Sequence, residues 1–173
     1  MLVVMDELET ITAYHECGHA CMAILLGARV ETITIEPEQE HDEFRLGGLA
    51  EIHDQRVRSR REQALFQAQV SIAGPVAEMV YTGDPWHPAA VLEWQSDWQI
   101  AWQATAGIWP DQSTRMRNLE QLTQAVYQLL SGDRCWPTVA ALADELEAHE
   151  TLDREQIEEV TTPWLSGHRG NST

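Results

Sequence analysis

A mainly α-helical fold with a minor β-sheet (α+β) is the architecture this 173-residue sequence predicts, on three observations. Most of the chain repeats its apolar residues at a helical period of 3.6. Two short segments, Val30–Ile35 and Leu46–His53, alternate at the strand period of two instead. Gly and Pro fall between these runs rather than inside most of them, as punctuation that ends one element and admits the next.

The first helix spans Glu7–Leu26 and stops at Gly27, a residue suited to the left-handed cap of a helix C-terminus. In Val30–Ile35, Ile33 and Ile35 lie on one side and Thr32 and Thr34 on the other, and Pro37 ends the run. The acidic stretch Glu36–Glu43 reads as a solvated loop. Leu46–His53, around Gly47 and Gly48, reads as a second strand. From Val57 the helical period returns through Leu65, Val70, Ile72 and Val76 to Val80 and ends at Thr82-Gly83-Asp84-Pro85. Four further helices are expected at Pro88–Gly107, Ser113–Leu130, Pro137–His149 and Asp153–Val160. Residues 1–165 are expected to form one domain, with Ser166–Thr173 as a disordered tail.

Composition narrows the function. With 43% hydrophobic residues the chain can bury a real core, yet no run approaches the roughly 20 consecutive apolar residues of a membrane span. The amino terminus has no basic flank and apolar stretch of the secretory kind, so a cytoplasmic location is expected without membrane insertion. Eleven basic against 28 acidic residues give a net charge of −17, which disfavours nucleic acid and anionic lipid as partners. All of the basic residues are arginine, and without a lysine no Walker phosphate loop can be built. Cys17, Cys21 and Cys135 match no disulfide framework or C-x-x-C pair and are expected to be reduced and buried.

One string carries chemistry. His15-Glu16-Cys17-Gly18-His19 is an H-E-x-x-H pattern within the first helix. A spacing of four stacks His15 and His19 on one face a turn apart, where both imidazoles can reach one zinc ion. Glu16 projects beside them, placed to take a proton from a metal-activated water. Such a string also arises by chance on amphipathic helices. Against chance, the other face (Cys17, Ala20, Cys21, Ile24) is apolar or small, and Gly18 costs helix stability that a purely structural helix has little reason to accept. Zinc usually takes three protein ligands and a water, so a third must come from elsewhere. His41, His53, His87, Glu78, Asp84, Asp97 and more distant carboxylates all have suitable chemistry, and spacing does not choose among them.

Four segments in order resemble the zinc peptidase domain of the FtsH-type ATP-dependent proteases. Thr12-Ala13-Tyr14-His15-Glu16-Cys17-Gly18-His19-Ala20, with the Val30–Pro37 strand behind it, is similar to that family's T-A-x-H-E-A-G-H-A and V-x-K-V-T-I-x-P. Ile72-Ala73-Gly74-Pro75-Val76-Ala77-Glu78 resembles L-x-G-G-R-A-A-E, Ser96-Asp97-Trp98-Gln99-Ile100-Ala101 resembles N-D-L-x-x-A, and Glu150–Ile157 resembles the closing E-T-L-D-x-x-E-I. The resemblance implies a zinc peptidase whose third ligand is Asp97, and an FtsH-like helical domain with its sheet next to the zinc helix. Glu78, on a helix that Gly74 lets approach the zinc helix, is expected to orient a ligand by hydrogen bond. The strand corresponding to Leu46–His53 borders that family's cleft. An edge strand there, with Gly48, Leu49, Ala50 and Glu51 as substrate-binding positions, would take an extended polypeptide by β-augmentation.

Departures from the family shape the rest of the expectation. The family's AAA+ ATPase and membrane anchor are not expected to accompany this region, and its Gly/Ser-rich approach to the aspartate is replaced by Asp84-Pro85-Trp86-His87-Pro88 and Glu93-Trp94-Gln95. Ile100 and Trp102 stand in place of a basic residue and a threonine. The expected activity is an ATP-independent zinc endopeptidase of unfolded or loosely folded polypeptides. The alternatives are a zinc-stabilised accessory or interaction protein with little turnover, and a peptidase subunit fed by a separate unfoldase. Trp94, Trp98 and Trp102 form a stripe assigned to core packing, as are Cys17 and Cys21. His41, His53, His87, His149 and His168 are read as loop or surface histidines.

Overall fold

Helix α1 (Leu2–Leu25) is the central element of the computed structural model, which describes residues 2–36, 49–84 and 87–165. Ala13, Cys17, Ala20, Cys21, Met22 and Ala23 along it are buried, so the helix is covered on most sides rather than on one stripe. Its end is a Schellman motif. Gly27 takes φ 85°, its N–H bonds to the Ile24 carbonyl, and the Ala28 N–H bonds to the Ala23 carbonyl, both at 2.9 Å. The chain is thereby reversed into the sheet.

Strand β1 (Arg29–Thr34) is the middle of a three-stranded antiparallel sheet, with β2 (Leu49–His53) on one side and β3 (Thr151–Asp153) on the other. Ile33 stands opposite both Ala50 and Leu152, and Ile33 and Leu152 are fully buried, so this layer joins the core. Between the pairs Val30↔Ile52 and Thr32↔Glu51, β1 carries one extra residue, Glu31, as a bulge. Among the described residues β2 pairs on one side only, at the edge of the sheet. The third strand was not expected. It is three residues long between two helices, too short to show a period, and the chain enters it through Glu150 in a left-handed conformation (φ 61°). The earlier residues of the expected second strand, with Gly47 and Gly48, lie outside the described residues, as do most of the acidic loop, His41, Pro85, Trp86, His168 and the 166–173 tail.

Helix α2 (Arg60–Thr82) begins later than the periodicity suggested. Ser59 and Glu62 form a capping box, leaving Val57 outside and fully exposed. It closes at Gly83, φ 76°, whose N–H bonds to the Met79 carbonyl at 3.0 Å. Pro75 lies inside it. α2 packs tightly on α1, and Gly18 is the reason it can. A Cβ there would lie 2.5 Å from the Ala73 carbonyl oxygen and 2.6 Å from the Ala77 Cβ. The helix cost noted for Gly18 is offset by this close approach.

The single helix expected over Pro88–Gly107 is instead two 3₁₀ turns, Pro88–Ala90 and Leu92–Trp94, followed by α3 (Gln95–Ala104). Val91, extended at φ −102° and ψ 123°, separates the turns, and His87 Nδ1 accepts from the Ala89 N–H to cap the first. α4 (Gln112–Leu130), capped by Asp111, and α5 (Trp136–His149) agree with expectation to within a residue. α6 (Arg154–Leu165) runs past the expected Val160 and accommodates Pro163 in its last turn, where the missing N–H leaves one carbonyl near the helix end without its partner.

Trp94 and Trp98 are buried and Trp102 packs partly buried against the core, where the Arg115 guanidinium lies 4.6 Å over its ring. All three cysteines are free and buried. Among the described residues, no helix is long and apolar enough to cross a membrane.

Candidate metal centre

Three helices bring one group together. His15 and His19 project from α1, a turn apart, and their Nε2 atoms stand 3.0 Å from each other with the rings nearly perpendicular at 82°. Asp97, in the first turn of α3, turns its carboxylate toward both: Oδ2 lies 3.2 Å from His15 Nε2 and Oδ1 3.7 Å from His19 Nε2. Each of the three offers an atom within 4.8 Å of the others, and the group could hold a metal ion. Tetrahedral coordination at roughly 2.0–2.1 Å sets ligand atoms about 3.3 Å apart. The observed separations straddle that value.

The histidine tautomers are set from α2. The Val70 carbonyl accepts a hydrogen bond from His19 Nδ1 at 2.7 Å, and the Glu78 carboxylate accepts one from His15 Nδ1. With Nδ1 donating in both rings, the Nε2 atoms face each other and Asp97, and a neutral imidazole there has its lone pair free for an ion. Partners on the far nitrogen are what hold metal-binding imidazoles in orientation. Midway between Val70 and Glu78 on α2 stands Gly74. A Cβ at Gly74 would lie 2.4 Å from His19 Nε2 and 2.7 Å from His15 Nε2, so the glycine leaves open the space that both lone pairs address.

Burial strengthens every charge here. Asp97 and Glu16 are only 8% and 7% exposed. Burial alone would push the His15 pKa down, but the Asp97 and Glu78 carboxylates on its two nitrogens override it and raise the pKa to about 10. Burial also raises the Cys17 and Cys21 thiols, leaving them as apolar packing rather than ligands.

Among the described residues, Asp97 is the one open candidate for a third ligand that stands with the two histidines, and His41 lies outside them. His53 is exposed beside Glu51 at 3.1 Å, His87 lies edge-on to Trp98 and 3.5 Å from Glu120, and Asp84 is exposed. Glu78 is at the far nitrogen of His15. Ala50 is half-buried and Glu51 exposed on the edge strand, while Gly48 and the Leu49 side chain lie outside the described residues. The Val70 carbonyl was not anticipated. It is a backbone group, and no residue type announces it. No protein-family model matches the chain.

Proposed function

We propose that this chain is a zinc-dependent endopeptidase hydrolysing unfolded or loosely folded polypeptides. The observation that carries the reading is the meeting of His15, His19 and Asp97 in one buried group, with the buried Glu16 following His15 in the same H-E-x-x-H string. The four segments resembling the FtsH-type zinc peptidase domain, two of which contain these residues, also support it.

Zinc bound by these three residues supplies a Lewis acid that lowers the pKa of water and polarises a carbonyl. The chain's own groups do the rest. Glu16 accepts a proton from the attacking water and delivers it to the departing amine, so that the peptide C–N bond breaks as the water oxygen joins the carbonyl carbon. Glu78 and Val70 keep the imidazoles in the ligating tautomer. The side of β2 that pairs with no strand among the described residues offers main-chain N–H and C=O groups to an extended substrate, which favours polypeptide already free of its own fold.

Metal analysis combined with digestion of denatured casein by wild type and Glu16→Gln tests the proposal. Zinc in both proteins and cleavage only by wild type supports it. Zinc in both without cleavage in either favours a zinc-stabilised accessory protein, and cleavage only after an ATP-driven unfoldase is added favours a subunit fed by that partner.

A further inference from the structure

The three α2 residues that serve the metal group, Val70, Gly74 and Glu78, are spaced four apart and share one face of the helix. Two of them act through side-chain chemistry or its absence. Val70 acts through its carbonyl, which in a regular helix points along the axis to the N–H of residue 74. Here it also receives His19 Nδ1 at 2.7 Å. A carbonyl has two lone pairs and can accept from both donors, and a looser turn lets it tilt out from the axis toward the ring.

Pro75 is placed to loosen this turn. It is buried within α2, which continues on both sides of it. Proline has no N–H for the Ser71 carbonyl, the next acceptor after Val70, and its ring crowds that carbonyl outward. The turn 70–75 therefore lacks one rung beside the carbonyl that binds His19. The FtsH-type segment that this stretch resembles has arginine at the corresponding place, so the proline is a feature of this chain.

We infer that Pro75 is a positioning residue of the metal centre: by opening the 70–75 turn of α2, it aims the Val70 carbonyl at His19 Nδ1 and so fixes the Nε2 lone pair toward the ion. This rests on the reading of His15, His19 and Asp97 as a metal site. The consequence is an asymmetric pair of ligands, His15 backed by a carboxylate and His19 by a neutral carbonyl. Partners of this kind, when lost, typically weaken metal binding by about 10–100-fold.

The test uses the full chain labelled with ¹⁵N and ¹³C. In wild type, a coupling across the hydrogen bond between His19 Nδ1 and the Val70 carbonyl carbon is expected with or without zinc. Pro75→Ala, which restores the N–H to Ser71, should weaken or abolish that coupling. It should also raise the zinc Kd by about 10–100-fold and alter the visible spectrum of the cobalt-substituted protein. The melting temperature of its metal-free form should not fall, because a helix rung is gained. Pro75→Gly restores the same N–H and carries the comparison if Pro75→Ala does not fold. Absence of the coupling in wild type overturns the inference, as does a folded variant with wild-type coupling and a zinc Kd within twofold. A variant whose affinity falls only in step with its metal-free melting temperature also overturns it, as a general structural effect. Failure of wild type to take up zinc would instead strike the metal reading itself, while the coupling would still report on the His19–Val70 bond.

Discussion

Replacing Gly74 with alanine adds one methyl group at the place where it does most harm. An ordinary carbon contact begins at 3.4 Å, whereas this Cβ would lie 2.4 Å from His19 Nε2, 2.5 Å from its Cε1 and 2.7 Å from His15 Nε2. Relief requires a retreat of about 1.0 Å by one imidazole and about 0.7 Å by the other, several times the ±0.2 Å or so that metal–ligand distances tolerate. The rings cannot retreat freely, because the Val70 carbonyl and Glu78 hold their far sides. At least one ligand should be lost, and zinc affinity should fall by 100-fold or more, the upper end of what even an orienting partner contributes being about 100-fold. The fold should survive. Alanine gains about 0.8–1.0 kcal/mol over glycine in helix propensity, against an overpacking cost of about 1–3 kcal/mol. Zinc binding by chelator competition and helix content by circular dichroism separate the two effects. A folded Gly74→Ala protein that binds zinc within threefold of wild type would refute the assignment of this space to the ion.

Asp97→Ala should lose zinc on metal analysis, while His53→Ala and His87→Ala keep it; full occupancy in Asp97→Ala removes it from the site. Glu16→Gln should keep zinc and fold but hydrolyse peptide about 10²–10⁴-fold more slowly, the usual contribution of a positioned base, and wild-type turnover would exclude Glu16 from the mechanism. Proline at Ala50 or Glu51 should slow peptide cleavage without displacing zinc at whichever position directs its N–H away from β1; full activity in both folded variants would count against pairing at the edge strand. Zinc uptake should also release a proton. His15, with a pKa of about 10 in the metal-free site, is protonated at neutral pH and must be neutral to ligate. Affinity should therefore rise as pH rises toward 10, by about tenfold per unit while one proton is displaced. Calorimetry near pH 7.5 in two buffers of different ionisation enthalpy should show about one proton released per zinc, and none released would mean that His15 enters neutral.

The helices were legible because a helical period needs length to show, and α1, α2, α4 and α5 have it, α1 as a long, mostly buried run and the others with one apolar face. Where elements are short, tertiary context decides. β3 exists because β1 offers it a partner, and the 3₁₀ turns before α3 exist because Pro88 and the extended Val91 interrupt a stretch whose composition is otherwise helical. The site divides the same way. His15 and His19 are a local pattern, visible in five residues. Asp97 comes from a distant helix, and no spacing rule points to it; only a resemblance to a known family nominated it. The Val70 carbonyl has no signature in residue type, and the space over Gly74 becomes visible only when two helices are packed together.

The metal group joins α1, near the start of the chain, to α3, far along it. An ion held there closes a long loop that the unfolded chain does not close, and it can be gripped only after α3 has docked. Its stabilisation would then enter late in folding. Zinc would leave the folding rate nearly unchanged and slow unfolding, making the protein long-lived in the presence of metal rather than quick to form. A chelator would act as a timer on the native state, shortening its lifetime before any change in refolding could be seen.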